Sequence, residues 1–266
     1  MRRQSAILAV MVSVRCISVS ATPPGCSSHC LTWDEKGDLP PARSGHTMVY
    51  DSYRGVAVLF GGYGSELFGD TWEWDGERWT LRACSGPSPR EYHSMVYDSI
   101  RHVTVLFGGY APGTAEENGE TWEWDGASWT PRSVTGPGAR AGHAMTFDDA
   151  RGVAVLFGGS LDDNVLADTW EWNGIAWAQT AATGPSPRAR HAMVYDHLRG
   201  LTVLYGGASS SLDAESVWEW NGTEWTEHRP GNSVRPWGGY SDMWVYDSER
   251  AVNVLLHATW CEGPCL

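Results

Sequence analysis

The chain is poor in positive charge and has no long hydrophobic run. Lysine and arginine together number 19 against 32 aspartate and glutamate residues, so the formal net charge of the 266 residues is −13 at pH 7. A surface of this sign repels phosphate backbones, which argues against nucleic-acid binding. No apolar stretch reaches the roughly 20 residues that a membrane-spanning helix needs. Nucleic acid and the bilayer core are therefore not the partners that we expect.

Recognisable catalytic motifs are also missing. The sequence has no Ser/His/Asp order and no glycine-rich phosphate loop, the two commonest signatures of hydrolases and nucleotide-binding enzymes. We therefore assign no catalytic residue, no metal ligand and no cofactor, and the sequence favours a binding protein over an enzyme.

The first 21 residues have the pattern of a secretory signal peptide. Arg2 and Arg3 precede an apolar stretch over 6–14, and small residues at 19–21 suit cleavage. The alternative is a disordered or misassigned start. We predict a signal peptide over 1–21, a mature domain over 22–266, and a secreted or cell-envelope location.

Tryptophan is abundant, with 16 residues, and its spacing reveals an internal repeat. Four times the chain runs from Arg-x-x-His through an Asp-x-x-Arg turn and an apolar run ending in Gly-Gly to Trp-Glu-Trp-Asp/Asn-Gly-x-x-Trp. The aspartates that mark successive copies lie 47, 50, 48 and 51 residues apart: Asp51, Asp98, Asp148, Asp196 and Asp247. A period of this length with β-type patterning predicts an all-β propeller.

The first copy predicts four antiparallel strands in each blade. Residues 47–50 are β-prone, 56–60 are apolar at every position, and 71–74 form a third strand. Asp75-Gly76 is expected to make a two-residue type I′ turn into the fourth strand. That turn would place Trp72 opposite Trp79.

The repeat resembles the kelch family. Gly-Gly after an apolar strand, followed by an aromatic residue, six further residues and a Trp, is similar to the kelch motif over about residues 33–256. The aromatic residue is Trp here, where the family usually has Tyr. The resemblance implies a β-propeller of the galactose-oxidase-like superfamily. WD repeats are a weaker match.

The two ends of the repeat region predict how a ring would close. Trp33 occupies the position of a fourth-strand Trp, while residues 244–256 supply first and second strands and Thr259-Trp260 resembles Thr71-Trp72. The interpretation is four complete blades and one split blade, closed by the N-terminal strand into a five-bladed ring. An incomplete ring or a fragment of a larger one is the alternative.

Candidate ligand-binding residues begin the first strand of each blade, which is normally the innermost. Arginines there can grip carboxylates, and histidines can titrate or bind metal. A residue repeated in every blade can equally serve the blade itself. The pairs are Arg43/His46, Arg90/His93, Arg140/His143 and Arg188/His191, and Asp242 aligns with the histidines in the fifth copy.

Loops between second and third strands differ from blade to blade and carry acidic residues. Strand alternation places them on the same face as the Arg/His starts, and variable loops on a rigid scaffold often bind ligands. They can equally keep the protein soluble. The candidates are Glu116, Glu117, Asp162 and Asp163. We expect a protein or glycan ligand; the alternative is a sugar-acting enzyme related to galactose oxidase or to sialic-acid-handling kelch proteins.

Four cysteines flank the two ends of the repeat region. In an antiparallel pair, opposite residue numbers have a constant sum, and this holds for Cys26 with Cys265 and for Cys30 with Cys261. The pattern predicts two disulfides that lock the ring, with Cys84 outside them. A four-cysteine zinc site and unpaired thiols are the alternatives.

Overall fold

The computed structural model describes residues 39–111, 118–162, 164–180, 183–208, 216–228, 243–247 and 252–256. Every regular element within these ranges is a β-strand. In the first blade, β1 (Thr47–Asp51), β2 (Val56–Phe60), β3 (Thr71–Trp74) and β4 (Trp79–Ala83) form one antiparallel sheet in chain order. The predicted four-stranded blade is therefore confirmed.

Three further blades repeat this topology. The second contains β5 (Ser94–Asp98), β6 (Val103–Phe107), β7 (Thr121–Trp124) and β8 (Trp129–Arg132). The third contains β9 (Ala144–Asp148), β10 (Val153–Phe157), β13 (Thr169–Trp172) and β14 (Trp177–Gln179), with a small hairpin of β11 (Ser160–Leu161) and β12 (Asn164–Val165) between its second and third strands. The fourth contains β15 (Ala192–Asp196), β16 (Leu201–Tyr205), β17 (Val217–Trp220) and β18 (Trp225–His228).

The first strands of successive blades are neighbours. Strand β5 packs against β1 and β9, and β15 packs against β9 and the next inner strand, β19 (Met243–Asp247), which pairs with β20 (Val252–Leu256). Sheets that meet through their first strands in this order are the blades of a β-propeller. The remaining parts of the predicted split blade, including Trp33 and Trp260, lie outside the described residues, as do Cys26, Cys30, Cys261 and Cys265.

Aromatic side chains fill the seams between blades. Phe60 of the first blade is fully buried, with its ring 5.4 Å from the ring of His93 and 5.3 Å from that of Trp129, both in the second blade. Phe107 and Phe157 repeat the arrangement at the next two seams. In the second blade, β6 is covered on both faces, because Leu106 packs with residues of the first blade while Val105 and Phe107 pack with residues of the third. A continuous apolar run is typical of a strand in this position.

Each seam also contains two hydrogen bonds from tryptophan. At the first seam, Trp124 Nε1 donates to Glu73 Oε1 at 3.1 Å and Trp129 Nε1 donates to Thr71 Oγ1 at 2.8 Å. The next two seams contain the same pairs. Because these partners come from the preceding blade, the Trp-Glu-Trp motif joins blades as well as strands.

The hairpin turn between third and fourth strands differs from the prediction. Trp74, not Trp72, lies opposite Trp79, and Trp72 lies opposite Leu81. The loop therefore has four residues, 75–78. The side chain of Asp75 stabilises it by accepting hydrogen bonds from the backbone nitrogens of Glu77 and Arg78, each at 2.9 Å. The expected type I′ turn is therefore wrong, because the aspartate side chain holds a longer loop together.

The Asp-x-x-Arg turn between first and second strands is a local ion pair, as its spacing indicates. Asp51 accepts from the backbone nitrogens of Tyr53 and Arg54 at 3.0 Å, and Arg54 Nε lies 2.6 Å from Asp51 Oδ2. Arg54 also reaches Glu73, the acceptor of the seam hydrogen bond. The turn is thus connected to the joint between blades.

Candidate functional site

The recurring arginines hold carboxylates that belong to their own blades. Arg43 Nη1 and Nη2 lie 2.6 and 3.0 Å from the two oxygens of Asp70, and Nη1 also donates to the Gly61 carbonyl at 3.0 Å. Trp72 Nε1 completes the group with a 2.6 Å hydrogen bond to Asp70 Oδ2. In this blade, the carboxylate that the arginine binds therefore belongs to the protein itself and not to a ligand.

Two more blades repeat this group with small differences. Arg90 Nη2 lies 2.7 Å from Glu120 Oε2, and Arg140 donates to both oxygens of Asp168 at 2.6 and 2.8 Å. Burial alone would raise the pKa of Asp168, but the hydrogen bonds and charge of Arg140 hold it below its usual range. The fourth blade has Ser216 where the other three blades have the acidic residue. Arg188 in this blade donates to the Gly206 carbonyl and to the carbonyl and hydroxyl oxygens of Ser186.

The recurring histidines lie in the seams. His93, His143 and His191 are buried, and neither ring nitrogen of any of them has a hydrogen-bond partner. Burial, reinforced by the charge of Arg90, lowers the pKa of His93 to about 3. The same causes lower the pKa of His143 and His191. These imidazoles are neutral at physiological pH and are packed against phenylalanine.

His46 belongs to the first blade and is more exposed than the other three histidines. Desolvation and the charge of Arg43 lower its pKa as well. Its position in the repeat matches theirs.

A chain of backbone hydrogen bonds links the four blades at the residue preceding each histidine. Tyr92 N donates to Gly45 O at 2.9 Å, Gly142 N to Tyr92 O at 2.8 Å, and Arg190 N to Gly142 O at 2.6 Å. All four residues have positive φ, between 55° and 64°. Because they precede the inner strands, they lie around one mouth of the central channel. We call Gly45, Tyr92, Gly142 and Arg190 the rim.

Two rim positions have large side chains in a backbone conformation that suits glycine. Tyr92 and Arg190 adopt φ of 55° and 58°, a left-handed region that disfavours bulky side chains. The guanidinium carbon of Arg190 lies 4.8 Å from the centre of the Tyr92 ring, a cation–π contact between the second and fourth blades. Strained residues of this kind cluster at binding and catalytic sites.

Glu91 adds a carboxyl group beside the rim. Burial raises its pKa, and the charge of Arg190 partly offsets that effect. Glu91, Tyr92 and Arg190 thus combine an acid, an aromatic ring and an exposed cation at one end of the channel. We call these three residues the rim cluster.

Sequence reasoning missed the rim cluster because it followed the residues that recur. The two positions between the constant Arg and His are Ser44-Gly45, Glu91-Tyr92, Ala141-Gly142 and Ala189-Arg190. The available signal was this break in the repeat, since residues that serve every blade equally do not need to differ.

The variable loops begin next to the rim, on the face that the sequence predicted. Single β-bridges join Ser44 to Tyr63 and Glu91 to Tyr110, the first residues of two of these loops. Asp162 lies at the tip of the β11–β12 hairpin with φ of 51°. The other four acidic candidates, Glu116, Glu117, Asp163 and Asp242, lie outside the described residues.

The described residues also bear on metals and membranes. Within them, no group of three or more His, Cys, Asp or Glu side chains is arranged to hold a metal ion. No helix in this part of the chain is long and apolar enough to cross a membrane.

Comparison with known proteins supports the fold. The sequence matches no protein-family profile and no curated protein. Its structure is similar to the solved structure of a protein named YjhT, with a TM-score of 0.60, covering 74% of this chain and 69% of that one. The two sequences are 16% identical, so the similarity extends to the propeller fold alone.

Proposed function

We propose that this chain is a secreted kelch-repeat propeller that binds a protein or glycan ligand, without catalysis, through the face that contains the rim and the variable loops. The rim cluster supports the proposal most directly. Tyr92 and Arg190 occupy positions where glycine fits the backbone better, and they meet across two blades. A side chain that only filled space would not require this strain.

The chemistry of the rim cluster suits recognition of a polar ligand. Tyr92 offers an aromatic face for stacking, Arg190 offers an exposed guanidinium, and Glu91 offers a carboxyl that accepts hydrogen bonds from hydroxyl or amide groups. Tyr63 is exposed at the start of the first loop and extends the aromatic surface. Such a set can contact sugar rings or a peptide segment.

Secretion and kelch membership rest on the sequence. The basic and apolar start of the chain supports export, and the Gly-Gly and Trp spacing supports the kelch assignment. An extracytoplasmic binding module fits both.

Glycine substitutions test the binding face without disturbing the backbone. We expect Tyr92→Gly and Arg190→Gly to abolish binding to a glycan array, or to proteins of the extracellular fraction, while the thermal midpoint stays equal or rises, because glycine relieves the positive φ. Ile175→Ala, at an exposed hairpin turn of the third blade, is the matched control. Binding that survives both glycine substitutions would count against this face.

The acidic loops give a second test of the same face. Reversing the charge of Glu116, Glu117, Asp162 and Asp163 together should weaken ligand binding without lowering thermal stability, because we expect charges in variable loops to contribute little to folding. Unchanged binding would show that these loops only keep the protein soluble.

A sugar-acting enzyme is the second candidate, and the raised pKa of Glu91 favours it. A carboxyl with a perturbed pKa beside an arginine at a channel mouth resembles a general acid. Turnover of oxidised or acidic sugars, assayed with and without added copper, would support this function if Glu91→Gln removed it. A broad panel without turnover would dismiss it.

A further inference from the structure

Two exposed hairpin loops contain an asparagine followed by a glycine. The loop between the third and fourth strands begins with Asn173-Gly174 in the third blade and with Asn221-Gly222 in the fourth, and both asparagines are exposed. The first two blades have Asp75-Gly76 and Asp125-Gly126 at the same place. We call these four loops the Asx loops.

The Asx loop folds the asparagine side chain over the backbone that follows it. Asn173 Oδ1 accepts hydrogen bonds from the backbone nitrogens of Ile175 and Ala176, each at 2.9 Å. Asn221 Oδ1 accepts the same two hydrogen bonds in the fourth blade, at 2.8 and 2.9 Å. Because the glycine nitrogen comes before these two donors in the chain, the arrangement brings Cγ of the asparagine toward that nitrogen.

The same contacts favour nucleophilic attack at Cγ. Two N–H groups on Oδ1 draw electron density away from Cγ and stabilise the oxyanion that develops there, as preorganised backbone donors do in enzymes. The nucleophile is unhindered, since glycine has no Cβ. The fold also requires this glycine, because a Cβ at Gly174 would come within 2.6 Å of Arg101 Nε and one at Gly222 within 2.9 Å of the Arg151 guanidinium.

We infer that Asn173 and Asn221 are sites of spontaneous deamidation in the folded protein. The glycine nitrogen loses its proton and bonds to Cγ, the Cγ–Nδ2 bond breaks, and ammonia leaves with that proton, which produces a succinimide. Water then opens the ring by adding its hydroxyl to one carbonyl carbon and a proton to the glycine nitrogen. Opening at the side-chain carbonyl gives aspartate, the residue of the first two blades, and opening at the main-chain carbonyl gives isoaspartate. The reaction is independent of ligand binding at the rim.

A third pair of the same type, Asn118-Gly119, is an internal control. In the orientation that satisfies its neighbours, Asn118 Oδ1 accepts from Arg90 Nη2 and Nδ2 donates to Glu120 Oε2, each at 3.2 Å. The amide is therefore tied to these two side chains, and we expect Asn118 to react more slowly although the dipeptide is identical.

Mass-spectrometric peptide mapping of protein incubated at mildly alkaline pH measures the three sites together. In the folded protein, Asn173 and Asn221 should deamidate at least about tenfold faster than Asn118, because backbone donors on a developing oxyanion change rates by this much or more. In urea, which removes the loop, the three rates should become similar.

Asp125→Asn transfers the site to the second blade. Asp125 Oδ1 accepts from the backbone nitrogens of Ala127 and Ser128, so the new asparagine should deamidate about as fast as Asn173, and one of its products is the wild-type protein. The inference would be overturned by folded protein in which Asn173 and Asn221 react no faster than Asn118. Persistence of the new asparagine in Asp125→Asn, or an unchanged advantage of the Asx-loop sites in urea, would overturn it as well. None of these outcomes depends on the proposed binding face.

Discussion

At the scale of single residues, the buried histidines connect the seams to pH. His93 and His191 have pKa values near 3 in the folded protein, against about 6.5 in an unfolded chain. Between these values the unfolded chain binds more protons than the folded one. The stability that the neutral imidazoles contribute is therefore complete above about pH 6.5 and is lost as the pH falls toward 3.

The first prediction is that acid weakens the propeller through these residues. Each buried histidine should remove up to about 1.4 kcal/mol of unfolding free energy for each unit that the pH falls below about 6.5. His93→Gln should be less stable at pH 7, by about 1–3 kcal/mol for a disturbed buried group, yet show a shallower slope between about pH 6.5 and 4.5. Urea unfolding at several pH values measures both.

Ile175→Ala is the control for this slope. Ile175 is exposed at a hairpin turn of the third blade and has no titratable group, so its replacement should leave the slope unchanged. If wild type and His93→Gln lost stability in parallel, the seam histidines would not be the groups that titrate.

At the scale of one element, the turn between third and fourth strands depends on a side-chain oxygen. Asp125 Oδ1 accepts from the backbone nitrogens of Ala127 and Ser128, each at 2.8 Å. Asn173 Oδ1 does the same in the third blade, at 2.9 Å. Asp and Asn thus serve the backbone of this turn alike, because in both residues Oδ1 is the acceptor for the two backbone nitrogens.

The second prediction uses this equivalence. Asp125→Ala should lower the unfolding free energy by about 1 kcal/mol, the usual value of such hydrogen bonds. Asn173→Asp should change it by less than about 0.5 kcal/mol. Chemical denaturation measures both. Equal effects from the two substitutions would mean that something other than the oxygen acceptor holds the loop.

This turn also shows where prediction from sequence stops. Strand positions followed from the period and the apolar pattern, because a strand that is covered on both faces, such as β6, has a nearly continuous apolar run. The Asp-Gly pair did not distinguish a two-residue loop from a four-residue loop, since glycine at positive φ serves both. The only sequence signal of the rim cluster was a local change between the constant Arg and His residues. The contact between Tyr92 and Arg190 joins two blades, so it depends on the tertiary structure.

At the scale of the whole molecule, four cysteines flank the two ends of the repeat region. Opposite residue numbers in an antiparallel pair have a constant sum, and this sum is the same for Cys26 with Cys265 and for Cys30 with Cys261. All four cysteines lie outside the residues that the structure describes, so their pairing stays a prediction.

The third prediction is a pair of disulfides, Cys26–Cys265 and Cys30–Cys261, that locks the ring. Peptide mapping of secreted protein without reductant should recover both cross-links. Closing so long a segment stabilises the fold by about 5 kcal/mol in the chain-entropy model, less any strain. Four alkylatable thiols without bound zinc would contradict the prediction.

The seams have a consequence for how such chains diverge. A blade meets its neighbour through a few fixed partners: a phenylalanine between a histidine and a tryptophan, a threonine and a glutamate that accept from indoles, and glycines against which the next backbone presses. Gly61 lies so close to the Arg90 carbonyl that a Cβ would come within 2.6 Å of it. Sequences that keep partners of these kinds can differ at many other positions and still adopt the same fold, and the structural similarity at 16% identity and a TM-score of 0.60 is an example.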